Sequence, residues 1–268
     1  MKKKQIAFRL LYISSGILFT LSSCYYGGAP YDPYIVDESR QKENYYYAPA
    51  AQNAPLLTKK NDLSLALHGS FGDRQKGIDM HAAFNPGKNI GLLASYSSSK
   101  NDGDANDDIV KTNRFEMGAG YFKKLSPGLH FETYGGLGFG KIKNRHYTGL
   151  SRLNNNLFFI QPTISLETKN QNVRFAFVSR FSINNFKIQD TSFNNDREPF
   201  VTSQMKIIHD QPSHVFWEPG FVLRAGWEDF LFQLGYSVST DLTNKELYRA
   251  KNNLSVGMIL RINAGKKN

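Results

Sequence analysis

A single cysteine, Cys24, stands in 268 residues, so no internal disulfide can staple the fold. Beyond the N-terminal end, no apolar run approaches the roughly 20 residues that a membrane helix needs. With 40% hydrophobic residues and a mean hydropathy of −0.45, the chain is not a bundle of such helices. A membrane barrel escapes that exclusion, because only alternate residues of its strands must be apolar. Catalytic signatures are also missing: there is no Gly-x-Ser-x-Gly elbow, no zinc-protease histidine spacing and no omptin-like set of acidic and histidine residues. The chain is therefore not expected to be an enzyme or to carry a cofactor. The basic excess, 33 Lys and Arg against 23 Asp and Glu, is scattered and joins no recognition helix, which argues against nucleic acid as a partner.

What is present is alternation. From His214 to Thr240, Val215, Trp217, Pro219, Phe221, Leu223, Ala225 and Trp227 share one face. Phe216, Glu218, Gly220, Val222, Arg224 and Gly226 share the other, because successive strand residues point to opposite sides. After a turn at Glu228-Asp229 the pattern resumes with Phe232, Leu234, Tyr236 and Val238. A tryptophan at each end of the apolar face suits two lipid–water boundaries.

About ten segments repeat the pattern from Leu63 onward: LSLALHGSF, GIDMHAAF, NIGLLASYS, RFEMGAGYF, LHFETYGGLGFG, NLFFIQPTISLE, VRFAFVSRFSI, VFWEPGFVLRAGW, FLFQLGYSV and NLSVGMILRIN. Short links (NPGKN, KKLSPG, TKNQN, EDF) alternate with long ones around Asn101–Asn113, Lys143–Asn155, Asn184–Ser213 and Leu242–Asn252. The expected fold is all-β: a single antiparallel up-and-down transmembrane β-barrel over 59–268. It has about ten strands, with eight as the other count, short periplasmic turns and long outer loops. The alternative is a soluble, periplasmic, membrane-tethered lipocalin-like barrel that stores an apolar ligand among the Phe, Leu and Val residues.

MKKKQIAFRLLYISSGILFTLSSC has the basic start, short apolar middle and small residues of a cleaved export signal, residues 1–23. Leu21-Ser22-Ser23-Cys24 resembles the bacterial lipoprotein box, which implies a covalent lipid on Cys24. Removing the signal leaves 29 basic against 23 acidic residues. By the same resemblance, Tyr25 after the cysteine favours the outer membrane, and the missing acidic cluster favours its periplasmic leaflet. Residues 24–58, rich in Pro, Gly and Tyr without periodicity, read as an extended lipidated tether. The other reading lays their tyrosines along the barrel's lower rim or inside its lumen. Overall the chain resembles the small outer-membrane β-barrel superfamily joined to a lipoprotein signal. YYYAPAAQNAPLLTKKNDLSLALHGSF is similar to the start of uncharacterised lipid-anchored barrel proteins of Gram-negative bacteria. The ending AGKKN lacks the final aromatic residue common in that superfamily, which would alter its reading by the assembly machinery.

With the apolar faces toward lipid, the lumen receives Glu116, Glu132, Arg174, Arg180, Glu218, Arg224 and Arg261. Such charges are tolerable in a narrow interior only when paired and hydrogen-bonded, so a filled interior is expected. Pro162 and Pro219 cannot donate ladder hydrogen bonds, and bulges are expected at both. If the first hairpin turns about Arg74-Gln75, His68 opposes His81 and Ser70 opposes Asp79. The histidines are a weak metal or proton-relay candidate, with a hydrogen-bonded pair as the plainer reading. NDGDANDD, Asn101 to Asp108, has oxygen ligands for calcium but not the EF-hand spacing. Lys141, Lys143, Arg145, Arg152, Arg249 and Lys251 would ring the outer rim, where outer-membrane lipids, including the phosphates of lipopolysaccharide, are fitting partners. Binding residues concentrate on loops held by a rigid scaffold, so a structural, adhesive or ligand-contacting role falls to the outer loops. A membrane-embedded hydrolase is the remaining alternative.

Overall fold

The computed structural model describes residues 45–57, 60–73, 75–102, 109–146, 148–168, 172–193, 195, 198–227, 229–245 and 247–263. Cys24 and the loop 103–108, the core of the calcium candidate, lie outside them. Strands β1 (Asp62–Gly72), β2 (Gln75–Gly87), β3 (Ile90–Asp102), β4 (Ile109–Ser126), β5 (Leu129–His146), β6 (Gly149–Glu167) and β7 (Val173–Ser192) run in order. Helix α1 (Pro199–Asp210) follows, then β8 (Ser213–Gly226), β9 (Phe230–Val238), β10 (Thr240–Asp241) and β11 (Asn252–Asn263). From β1 to β9 each strand pairs antiparallel with the next, β9 also pairs with β11, and β11 returns to β1, so the sheet closes. Because β10 carries on from β9 along the same neighbour, β8, the barrel has ten staves.

The faces fall as a lipid environment requires. Trp217, Phe221 and Trp227 are 37%, 49% and 62% exposed, whereas Glu132 and Arg224 are 1% and 2% exposed. Leu137, Phe139, Phe158, Ile160, Phe175, Phe177, Leu234 and Val256 continue the outward apolar belt around the sheet. In hydrocarbon an open edge would leave several kilocalories per mole of unpaired backbone at each group, so closure is the condition for crossing. The arrangement needed to store an apolar ligand, with these side chains turned inward, is not the one adopted.

Strands β6 and β7 run for 19 and 20 residues, against the roughly 9–11 needed to cross. The excess projects from the end opposite the short turns. One expected loop is therefore sheet: Lys143 pairs with Arg152 and His146 with Gly149, so the link around Lys143–Asn155 is a hairpin. The large excursions at this end are 193–212 and 242–251. Within the first, α1 starts with Pro199 in its first turn and buries Val201, Met205 and Ile208, spaced to share one helical face. That face closes the long-loop mouth against Tyr45–Tyr47, Phe186, Phe216 and Leu247.

Neither proline makes a bulge. Around Pro162 the β6–β7 register is the same on both sides, Ile160 with Phe181 and Thr163 with Val178. Around Pro219 it likewise holds, Gly220 with Ser237 and Trp217 with Thr240. Each proline interrupts the ladder without shifting it, and the second interruption separates β10 from β9. The shift in β6–β7 occurs instead between Arg152 and Leu153, above the belt.

Leu137 lies on the outward face between Met117 and Phe158. A charge there has no water to reach, so L137R is expected to lower the folding free energy in lipid vesicles by about 2–4 kcal/mol. The corresponding K143R change, above the belt, should alter it by less than about 0.5 kcal/mol. Urea unfolding followed by heat-modifiable gel mobility reads both.

Candidate functional site: a plugged lumen

The lumen is not left to the barrel's own side chains. Residues Tyr45 to Leu57 pass through it, and Tyr46, Tyr47, Ala54 and Leu56 are at most 3% exposed. The tether reading is thereby corrected over this second half: it is a plug. Its backbone, which forms no regular element, is bonded by the wall in chain order. At the long-loop end, the Tyr46 N–H donates to the Tyr248 carbonyl (2.9 Å), and the Ala250 N–H donates to the Tyr47 carbonyl (2.9 Å). Asn144 donates to the Tyr45 carbonyl (3.3 Å) and Asn253 to that of Pro49 (3.1 Å). Midway, Gln52 donates to the Glu218 carbonyl (3.3 Å) and Gln161 to that of Asn53. At the short-turn end, Arg224 donates to the Pro55 carbonyl (3.2 Å), while Arg174 and Arg261 both donate to that of Leu56 (3.0 Å each). Leu56 has φ 52, a left-handed conformation that a non-glycine residue adopts at a cost. Its N–H donates to Glu132 (3.2 Å).

The seven charged residues read from the alternation divide into two groups around this segment. In the upper group Glu116 accepts both terminal nitrogens of Arg180 (3.0 and 2.8 Å) and pairs with Arg114 (2.9 Å). Arg180 also approaches Glu218 (3.3 Å), which accepts from the Tyr47 hydroxyl (2.9 Å). In the lower group Arg174 pairs with Glu167, Arg224 donates to Gln233 (2.8 Å), and Arg261 reaches the plug. Arg114, Glu167 and Tyr47 were not singled out from the sequence. Arg114 was recoverable, since it shares strand parity with Glu116, whereas Tyr47 lies in a segment without periodicity. Glycines make room for the fill: a Cβ on Gly120 would sit 2.2 Å from the Thr133 carbonyl oxygen and 2.5 Å from the Tyr134 ring.

The first hairpin differs from the expectation by two residues. Gly72 pairs with Gln75, so His68 faces Asp79 and His81 faces Ala66. Both histidines are buried, and their rings still meet diagonally, 5.1 Å apart between centroids. Ser70 donates to Asp79, also diagonally. No group of three His, Cys, Asp or Glu side chains comes together for a metal among the described residues.

Above the belt, side chains lace the cap to the wall. Ser151 and the Nε2 of His146 are 2.8 Å apart, and His146 Nδ1 lies 3.7 Å from Glu198, which accepts from the Thr148 N–H (2.7 Å). The order is that of a hydrolase triad. However, all three residues are buried, and the imidazole–carboxylate separation exceeds a hydrogen bond. Glu198, just ahead of α1, is thereby held to the β5–β6 hairpin. Burial pushes the His146 imidazole down to about 4. Asp241 accepts from His214 (2.9 Å) and from the Thr243 and Leu247 N–H groups (2.9 and 3.0 Å). Burial alone would raise its carboxyl, and these bonds hold it below the usual range. Tyr248 donates its N–H to Gln204 of α1 (2.9 Å), joining the two excursions.

The expected cationic rim is redistributed. Arg249 turns inward and donates to the Ser239 carbonyl (3.0 Å). Lys251 stays exposed, its N–H bonded to Asp73 (3.0 Å). Lys141, Lys143, Arg145 and Arg152 remain on the outward face, joined by Lys111 and Lys187. Lys111 stands opposite Lys143, and Lys143 opposite Arg152. Like charges directly opposed repel, and the acid beside them is Asp190, 3.7 Å from Arg152 in an exposed pair.

Removing one partner of the upper group strands buried charge. E116A, which leaves Arg114 and Arg180 short of a carboxylate, is expected to cost about 3–5 kcal/mol in vesicle-based unfolding. A pH series should show a second effect. His146 folds neutral with a pKa near 4, below its unfolded value of about 6.5. Its contribution is thus full above about pH 6.5 and is lost as pH falls toward 4. Hydrogen exchange in α1 should accelerate over that window, and less so in H146Q.

No protein-family model matches the chain, and no curated protein is similar to it in sequence. Among solved structures, it is similar to the translocator domain of the autotransporter NalP from Neisseria meningitidis at 10% identity and a TM-score of 0.44, covering 78% of this chain and 90% of that one. The N-terminal β-barrel domain of Pseudomonas aeruginosa OprF is similar at 11% identity and a TM-score of 0.37, covering 76% and 98%. The Yersinia pestis outer membrane protein Ail is similar at 10% identity and a TM-score of 0.34, covering 76% and 100%. The likeness is one of barrel-shaped sheets and extends to no activity.

Proposed function

We propose that the protein is a closed, non-conducting outer-membrane barrel, with short turns toward the periplasm and long loops outside. Its work is structural, adhesive or ligand-contacting and is carried by the capped outer surface. The supporting observation is the plug: Tyr45–Leu57 fills a lumen of paired charges, and α1 covers its mouth. A solute channel needs an open polar path, whereas this interior spends its donors on the plug's own carbonyls.

The outward row Lys111, Lys143 and Arg152, with Lys141, Arg145 and Lys187 around it, lies above the apolar belt at the height of lipid head groups. Opposed cations, with Asp190 the acid beside them among the described residues, favour a phosphate-bearing partner. The partner proposed is the phosphates of lipopolysaccharide. A covalent lipid on Cys24, carried by the Leu21-Ser22-Ser23-Cys24 box, would add a second attachment to a barrel already held by its belt.

Three measurements test this reading. Purified protein in planar bilayers is expected to show no unitary conductance; steady ion-selective steps from the wild-type protein would overturn the closed-barrel reading. C24A is expected to lose palmitate labelling yet still require detergent for extraction, and release of C24A as soluble protein would refute the membrane-spanning role. Glutamine at Lys111, Lys143 and Arg152 together should weaken binding to lipopolysaccharide micelles at least tenfold without changing the unfolding midpoint.

A further inference from the structure

The plug has a direction. Its first described residue, Tyr45, lies at the long-loop mouth beside Asn144, and Tyr46 and Tyr47 bond Tyr248 and Ala250 there. Its last residues, Leu56 and Leu57, lie at the short-turn end, where Leu56 meets Glu132, Arg174 and Arg261. Strand β1 begins at the same end, at Asp62, with the Asn61 N–H donating to the Asn85 carbonyl beside it. We infer that the polypeptide preceding Tyr45 leaves the barrel through the long-loop mouth, so that the N-terminal segment, Cys24 included, is delivered to the same side of the membrane as the long loops.

The physics of the alternatives carries this inference. A second pass back through the lumen has no room: Tyr47, Tyr134 and Phe159 are at most 1% exposed, and Arg114, Arg180, Glu116 and Glu218 are already paired with one another. A return outside the barrel would drag Asp32, Asp37, Glu38, Arg40, Lys42 and Glu43 through hydrocarbon. An irregular chain there also leaves its backbone groups unsatisfied, at several kilocalories per mole each. The stretch from Cys24 to residue 44 can span at most about 70 Å when extended, which lets it reach the near head groups over the rim without crossing. Acyl chains on Cys24 would therefore enter the leaflet beside the long loops, opposite to the periplasmic leaflet expected from the sequence. The barrel thus acts as a sleeve that carries its own N-terminal segment across the membrane. This goes beyond the function proposed above, because it concerns which two parts of the chain share a side and holds for either orientation of the barrel.

The wild-type protein provides the first test. Trypsin added to intact cells is expected to cut at Arg40 or Lys42, ahead of the plug, together with Lys206 in α1, while Lys88 in the β2–β3 turn is cut only after permeabilisation. N-terminal sequencing of the barrel fragment identifies the sites. Epitope insertions after Val36, after Asn195 and after Lys88 give a second readout, each checked for folding by heat-modifiable mobility. Accessibility of the Val36 epitope together with the Asn195 epitope, on whichever side, supports the inference. Accessibility together with the Lys88 epitope overturns it. If the Val36 and Asn195 epitopes are both hidden while the Lys88 epitope is exposed, the proposed orientation of the barrel fails and the shared side stands.

Discussion

Everything in this molecule follows from the cost of leaving a polar group unpaired in hydrocarbon. On the sheet that cost is met by closure, since each of the ten staves, β1 and β11 included, has a neighbour on both sides. Inside the sheet the same cost returns in another form. Five arginines, Arg114, Arg174, Arg180, Arg224 and Arg261, point into a space too narrow for bulk water. The inward carboxylates answer the upper ones, Arg114 and Arg180 gathering on Glu116. At the short-turn end Glu167 meets Arg174, and the carbonyl oxygens of Pro55 and Leu56 accept from Arg174, Arg224 and Arg261 as well. An extended segment without secondary structure offers the carbonyls that a strand or helix would have used up. The plug's irregularity is what makes it a partner for the wall.

The long-loop end obeys ordinary globular packing. There the strands have outrun the membrane, and the inward faces turn apolar: Val110, Ile142, Leu153, Phe186 and Phe216. The ring of Tyr47 stacks on Phe216 at 4.0 Å, and α1 lays Val201, Met205 and Ile208 over them. One barrel therefore carries two interiors, an ionic one within the bilayer and a hydrophobic one above it. The cap and the plug meet at Tyr45–Tyr47, so their stabilities are coupled, and the 242–251 excursion joins both through Tyr248.

The readings that failed share a cause. Parity along a strand is a local property, so the inward and outward faces of Glu116, Arg180, Phe221 and Trp227 were legible. Register between strands is set by where the turn closes. Placing the first turn one residue late shifted the register by two and moved His68 from opposite Asp79 to opposite His81, while leaving both on the same face. The bulges expected at Pro162 and Pro219 failed because each proline points its missing donor at a position where the ladder can simply skip a rung. Polarity alone cannot separate a loop from a hairpin that stands in water. The Lys143–Asn155 stretch, charged and asparagine-rich, pairs Lys143 with Arg152 as regular sheet.

Alternating side chains thus determined the barrel, its belt and the side on which the chain doubles back at length, because period-two patterning in a half-apolar strand leaves one way to face lipid. Only the tertiary structure decided what fills the barrel. Tyr45–Leu57 carries no period, and its partners are main-chain carbonyls, which every residue possesses and no composition reveals. Its fate depended on the length of the arginines across the lumen and on a volume that glycines such as Gly120 leave open. Those distances exist only once ten strands have closed around it.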